Sequence, residues 1–285
     1  MNRKRLLMVL SVICMLFFLT GCSNDQTPIS LDTTFQEMLN TGGIFGAILT
    51  YPLAQAINFF ASKLGVFWAI VIVTVIINAI LLAATFKSNL AMQRMQVIQP
   101  ELNKIQKKYE GRTDQASQMR MSQEMQALYK KYDINPLGTL AVSFLQFPIL
   151  IAMYSAVRRS VAVAQGTFLG CSLALTPKEA FAQKQWPLVV IYVGMIIFQL
   201  LSVCLPQILN KIRAKKEADL HHRRYDEPKQ PNALMTYGMV VFIAFIMLSW
   251  PCALSLYYAI VSIVNIVKTL ALNKLTENEV NGSKK

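Results

Sequence analysis

Charge is what this chain has least of. Only 15% of its residues are charged against 54% hydrophobic, and acids are outnumbered, 15 Asp and Glu to 28 Lys and Arg. A soluble domain of 285 residues cannot coat itself with so little polar surface, so composition points to a membrane. Histidine is scarcer still. The two that exist, His221 and His222, are adjacent in a basic loop and read as solvated loop residues. Of Cys171, Cys204 and Cys252, two lie in apolar segments and one in an external loop, and they show neither a disulfide framework nor a metal-ligand spacing. There is no His-Glu-x-x-His, no Gly-rich phosphate loop and no pair of intramembrane aspartates. Those absences argue against an enzyme, and neither a cofactor nor a metal is expected.

The amino terminus has an address written in it. Arg3, Lys4 and Arg5 precede an apolar run from Leu6 to Leu19 that is shorter than a membrane span, the layout of a secretory signal over 1–21. It ends in Leu19-Thr20-Gly21-Cys22, which resembles the lipobox of bacterial lipoproteins. That resemblance implies diacylation of the Cys22 thiol and release of a new amino terminus outside the cell membrane. Residues 22–43 then read as an external linker.

Five further apolar segments follow at about 66–86, 137–157, 187–209, 233–250 and 251–272, each near the ~20 residues a helix needs to cross hydrocarbon. The last two are nearly continuous, and Pro251 marks a tight hairpin between them. Residues 44–64 are apolar but interrupted by Pro52, Gln55, Asn58 and Lys63, and read as an external amphipathic helix in the membrane interface. The charges give an independent check on orientation. Segments 87–136 and 210–232 carry nine and seven Lys or Arg, against four in 158–186, so the first two belong in the cytoplasm with the short 273–285 tail.

Segment 87–136 is more than a linker. Ala91, Met95, Ile98, Leu102, Ile105 and Tyr109 recur at steps of four and three, as do Met121, Met125, Leu128 and Tyr132. A polar break at 110–114 containing Gly111 separates the two, which predicts an antiparallel helical hairpin with a kink at Pro100. Met92, Met95, Met121 and Met125 give it a methionine-rich stripe, suited to ordinary packing or to guiding varied apolar substrates.

Inside the spans, Thr74, Asn78 and Thr85 fall within one narrow helical arc. Gln146, Gln199, Ser202, Ser255, Ser262 and Asn265 supply further polar positions. Such groups either hydrogen-bond helix to helix or line a hydrated cavity, and spacing alone leaves both open. Lys268 is the one ionisable Asp, Glu, Lys, Arg or His within the span limits, close enough to the cytoplasmic end to snorkel. Without a mid-membrane charge, an ion-coupled pump lacks its working part.

Several stretches together resemble one family, the YidC/Oxa/Alb membrane-protein insertases, over roughly residues 44 to 270. They are Met92-Gln93-Arg94-Met95, Gln99-Pro100-Glu101-Leu102, Met125-Gln126-Ala127-Leu128-Tyr129-Lys130, Asn135-Pro136-Leu137-Gly138, Gln146-Phe147-Pro148-Ile149, and the run from Trp250-Pro251-Cys252 to Tyr257-Tyr258. With the lipobox and no large external domain, the chain looks like the Gram-positive form. The resemblance implies an all-α polytopic protein in which five spans surround a hydrophilic groove, here lined by Thr74, Asn78, Thr85, Gln146, Gln199, Ser255 and Ser262. It also implies nascent membrane proteins as partners, with the Sec translocon and the ribosome as further ones, membrane lipids around it, and a monomer or weak oligomer. Where the family usually carries a groove arginine this chain has Asn78, a neutral amide that hydrogen-bonds but does not attract acids.

Overall fold

The computed structural model describes residues 27–220 and 233–282. The signal segment, Cys22, His221, His222 and the end of the tail lie outside the described residues. What is described is helical apart from loops, turns and one two-strand hairpin.

Thr34 and Glu37 close a reciprocal capping box that starts α1, Phe35–Phe45. Gly43, at φ 61°, kinks it. A π-helical turn, Gly46–Thr50, leads into α2, Tyr51–Leu64, which stops at Gly65 with φ 82°. The helix therefore begins nine residues before the 44 expected from hydropathy, because a cap and not an apolar residue sets its start. Phe35–Leu64 as a whole is long and apolar enough to cross a membrane, as are Val66–Ala84, Trp186–Ile212 and Cys252–Leu275. Length and composition thus admit a crossing or an interfacial position for the first of these.

Of the remaining helices, those over the expected 66–86 and 233–250 spans end earlier, at Ala84 and Met247, and others run longer. In chain order the first are α3 Val66–Ala84, α4 Phe86–Val97, α5 Gln99–Lys108, α6 Gln115–Lys131 and α7 Pro136–Arg159. Short α8, Val161–Gln165, precedes the strands β1, Thr167–Phe168, and β2, Cys171–Ser172, which pair antiparallel. Then come α9 Pro177–Ala182, α10 Trp186–Leu220, α11 Ala233–Met247 and α12 Cys252–Gly282. Helix α10 runs past the expected 209 because Lys211 and Lys215 are good helix formers and no Pro or Gly follows Pro206 within it. Helix α12 continues to Gly282 for the same reason.

Large apolar side chains lie outward on the long helices: Ile80, Val190, Val241 and Phe245 are all exposed. A helix apolar all round needs an apolar solvent, and here that is lipid. The chain is an all-α polytopic membrane protein.

Contacts divide it into two compact units. The first comprises 1–77, 144–196 and 243–261; the second 78–143, 197–242 and 262–285. In the first, the start of α12 is built by a loop: the Cys252 and Ala253 N–H groups donate to the carbonyls of Leu175 and Leu173 at 2.8 and 3.0 Å. These are donors that a helix amino terminus otherwise leaves unpaired. The turn before them carries Trp250, packed on Tyr154 with ring centroids 4.5 Å apart. In the second unit, α4 to α6 form the expected hairpin.

Candidate functional site

The first unit contains two kinds of buried polar group. One kind is saturated. Residues 27–33 lie as a strap that turns at Leu31–Asp32, bridged from Ile29 to Ser160 beyond the end of α7. The Ile29 N–H donates to the Arg159 carbonyl, and the Ile29 carbonyl accepts from Val161 N–H and from Asn58 Nδ2, the last at 2.7 Å. Asn58 Oδ1 in turn accepts from the Ser160 hydroxyl at 2.7 Å and the Ala162 N–H at 3.2 Å. Gln55 donates to the Ser30 and Thr33 carbonyls, and Arg159 to Thr27 through both its backbone carbonyl and its hydroxyl. Ile29 is wholly buried under this clasp.

The other kind is not saturated. Ser255, near the start of α12, is wholly buried and its hydroxyl closes no hydrogen bond. Tyr257, also fully buried, directs its hydroxyl toward the Gln146 amide at the margin of hydrogen-bond geometry without closing a full bond. Gln146 itself is exposed on α7. Thr74 differs from both: it is buried, and its hydroxyl returns to the Ile70 carbonyl at 2.6 Å, the ordinary resting bond of a helical threonine. Buried hydroxyls without partners cost free energy in an apolar surrounding, so water or a visiting polar group is their natural complement.

In the second unit the Ser262 hydroxyl donates to Gln199 Oε1 at 2.5 Å, joining α12 to α10. Asn78 is half-buried on α3. Thr85 donates to the Leu81 carbonyl, and Asn89 Nδ2 reaches the Thr85 hydroxyl at 2.8 Å and its carbonyl at 3.0 Å. One turn on, Gln93 is buried and donates to Asn273 Oδ1 at 3.4 Å. Asn89 and Gln93 were missed by the sequence reading, although each follows Thr85 by steps of four and so extends the arc of Asn78. Both lie beyond the end of the apolar run, on the polar side of Thr85.

The hairpin has its own core of Ile98, Leu102 and Ile134, with Met95, Met125, Leu128, Tyr129 and Tyr132 packed on it. Pro100 falls at the start of α5, so the expected kink is a break at Ile98 between α4 and α5. At the turn Gly111 takes φ 80°, and the Asp114 carboxylate caps α6 by accepting from the Ser117 N–H at 2.8 Å, a bond that lowers its pKa. Glu124 ties the arms, accepting from Lys108 at 2.5 Å and the Tyr109 hydroxyl at 2.8 Å. The Lys108 hydrogen bond is the main cause that lowers the Glu124 pKa, and the same bond raises that of Lys108. Met95 and Met125 are therefore engaged in packing, and Met92 and Met121 are half-buried. Met119, which the sequence reading did not single out, is the most exposed methionine among the described residues at 62%.

Among the described residues no three metal-ligating side chains come together. A many-helix membrane protein with neutral polar groups in its apolar helices and a polar helical hairpin is thus the class that fold and site define. The description "60Kd inner membrane protein" matches residues 56–279, and the chain belongs to that family. It is 29% identical to membrane protein insertase YidC 2 of Bacillus anthracis, over 99% of this chain and 100% of that one. It is 30% identical to membrane protein insertase YidC 2 of Listeria monocytogenes, over 98% and 91%, and 26% identical to membrane protein insertase MisCA of Bacillus subtilis, over 95% and 92%. The family resemblance read from the sequence is borne out.

Proposed function

We propose that this chain is a membrane-protein insertase and chaperone of the cell membrane. It admits the hydrophilic end of a nascent membrane protein part-way into the bilayer while the substrate's apolar helix passes into lipid. The observation that carries this reading is the Ser255 hydroxyl, buried in a membrane helix with no partner, together with the unpaired Tyr257 hydroxyl two residues on, toward exposed Gln146. A peptide crossing bare hydrocarbon leaves backbone groups unpaired at several kcal/mol each. Neutral hydroxyls and amides at Thr74, Asn78, Thr85, Gln146, Gln199, Ser255 and Ser262, with the water they hold, offer those groups partners along the way. Apolar burial of the substrate helix, at roughly 25 cal/mol per Å2, supplies the drive, so no nucleotide or cofactor is needed.

Asn78 sharpens the substrate class. An amide cannot attract acidic residues as a guanidinium does, so this insertase works by hydration and accepts neutral and acidic external segments alike. Five spans with Cys22 acylated outside, the hairpin and the 210–232 loop inside, and Sec translocon or ribosome as partners at the basic surfaces complete the reading. Support comes from the Lys and Arg asymmetry of the loops. The test is complementation of cells depleted of their own insertase. Wild type is expected to restore growth and insertion of a single-span client, and Asn78→Leu to lower both. The Asn78→Arg variant should gain a preference for clients with acidic external residues. Failure of wild type to restore insertion overturns the function, and equal dependence on those acids in wild type and Asn78→Arg overturns the hydration mechanism.

A further inference from the structure

The chain has three tryptophans, and each marks the start of a span: Trp68 is the third residue of α3, Trp186 opens α10, and Trp250 sits two residues before α12. All three belong to the first unit. Tryptophan gathers at the boundary between lipid and water, so these helix starts define that boundary on one face of the membrane. With spans alternating as read above, that face is the outer one.

Against the start of α3 lies the strand hairpin. Its base is fixed by Gly166, where an added Cβ would stand 2.0 Å from Val66 Cγ2, so no other residue permits this approach without displacement. Its first strand is fixed by Phe168, stacked on Phe67 with centroids 4.1 Å apart and planes 15° apart. The tip is thereby pinned beside the boundary that Trp68 marks. It consists of Leu169 and Gly170, with φ of 50° and 79°. Two successive positive φ values favour Asn-Gly, and a leucine in the left-handed region is strained by its Cβ. This Leu169 is also the most exposed large apolar side chain among the described residues, at 73%. Neither backbone geometry nor packing accounts for leucine there.

We propose that Leu169 is a membrane-contact residue, held by the hairpin so that it enters the boundary between headgroups and acyl chains of the adjacent leaflet. Lipid makes both anomalies reasonable, since the side chain is buried once the bilayer is present and its transfer offsets the backbone cost. Charge is compatible with a lipid occupant: exposed Arg158 and Lys178 flank the hairpin against one acid, Glu179, which suits a surface of anionic headgroups, while Arg159 is buried in the clasp. The contact would hold this end of the first unit at a fixed depth. It depends on the membrane placement and not on the insertase reading, so it stands or falls separately.

The test places an environment-sensitive fluorescent amino acid at position 169 of the full chain, reconstituted in phosphatidylglycerol and phosphatidylethanolamine vesicles. The same probe at exposed Lys184 serves as reference. Emission at 169 is expected to shift to the blue of that at 184 and to be quenched far more by a lipid spin-labelled near the headgroup. Water-like emission with quenching no greater than at 184 would overturn the proposal, pointing instead to a protein partner or to an idle tip. Leu169→Asn is the second arm, because it suits the turn better while removing the apolar side chain. Hydrogen exchange of residues 167–172 in vesicles is expected to quicken in that variant; unchanged or slower exchange would count against lipid contact.

Discussion

Two sets of buried polar groups within the first unit obey opposite rules. At the clasp, Asn58 uses its carbonyl oxygen twice and its amide once, and Gln55 and Arg159 are bonded likewise to residues 27–33. At the start of α12, Ser255 uses nothing and Tyr257 falls short of Gln146. Asn58, Arg159 and Ser160 in the one set and Ser255 and Tyr257 in the other are all buried. What separates them is completeness: a saturated polar cluster fixes one structure, whereas an unsaturated one carries a standing cost that only an external partner removes. The clasp is therefore read as architecture and the Ser255 region as working surface.

The comparison can be broken most forcefully at the clasp. Asn58→Leu would strip the Ala162 N–H of its side-chain partner and take one hydrogen bond each from the Ile29 carbonyl and the Ser160 hydroxyl, and is expected to lower stability by about 3 kcal/mol. Thermal unfolding in detergent measures it, and insertion activity should fall only as folded protein is lost. In the hairpin, Leu102→Ala removes a buried side chain from the core of Ile98 and Ile134. A cost of about 2–3 kcal/mol is expected, seen as faster hydrogen exchange over 99–131. Ser255→Ala should do the reverse of Asn58→Leu. Removing an unpaired hydroxyl leaves stability unchanged or slightly higher, while the insertion rate of a single-span client falls by about fivefold, the worth of one hydrogen bond near 1 kcal/mol.

The smallest effect belongs to Glu124 and Lys108, whose side chains are 38% and 59% exposed. The folded pKa of Glu124 lies below its ordinary 4.5, so its contribution is complete above that value and lost as pH falls through the lowered one. Lys108 is raised above 10.5, so its contribution is complete below that value and lost as pH rises through the raised one. The pair thus supports the hairpin across the neutral range and weakens only at either extreme. Solvent screening keeps it slight. Glu124→Gln should abolish the acid-side dependence of hairpin helicity, measured by circular dichroism of the full chain in detergent at low salt.

The spans were legible because hydrocarbon imposes a length, and the hairpin because Ile98, Leu102, Met125 and Leu128 keep helical spacing. Pro100 and Pro251 announced their breaks, and Thr34 with Glu37 could have announced the start of α1. The clasp was not legible. It joins Ile29 to Ser160 across most of the first unit, and no periodicity in either segment foretells the other. Ser255 was readable as a polar position in a span, but whether it had a partner depends on packing in three dimensions. Leu169 was hidden for another reason: turn chemistry predicts Asn-Gly at such a tip, and this residue breaks the rule.

The most direct measurement puts a photo-reactive amino acid at Gln146, beside Tyr257 in the unsaturated region, and in a second protein at Gln55 in the clasp. Each is illuminated while a ribosome-bound single-span client is being inserted into membrane vesicles. The account predicts client adducts from position 146 and none from position 55. Adducts of equal yield at both, or none at 146 while insertion proceeds, would contradict it.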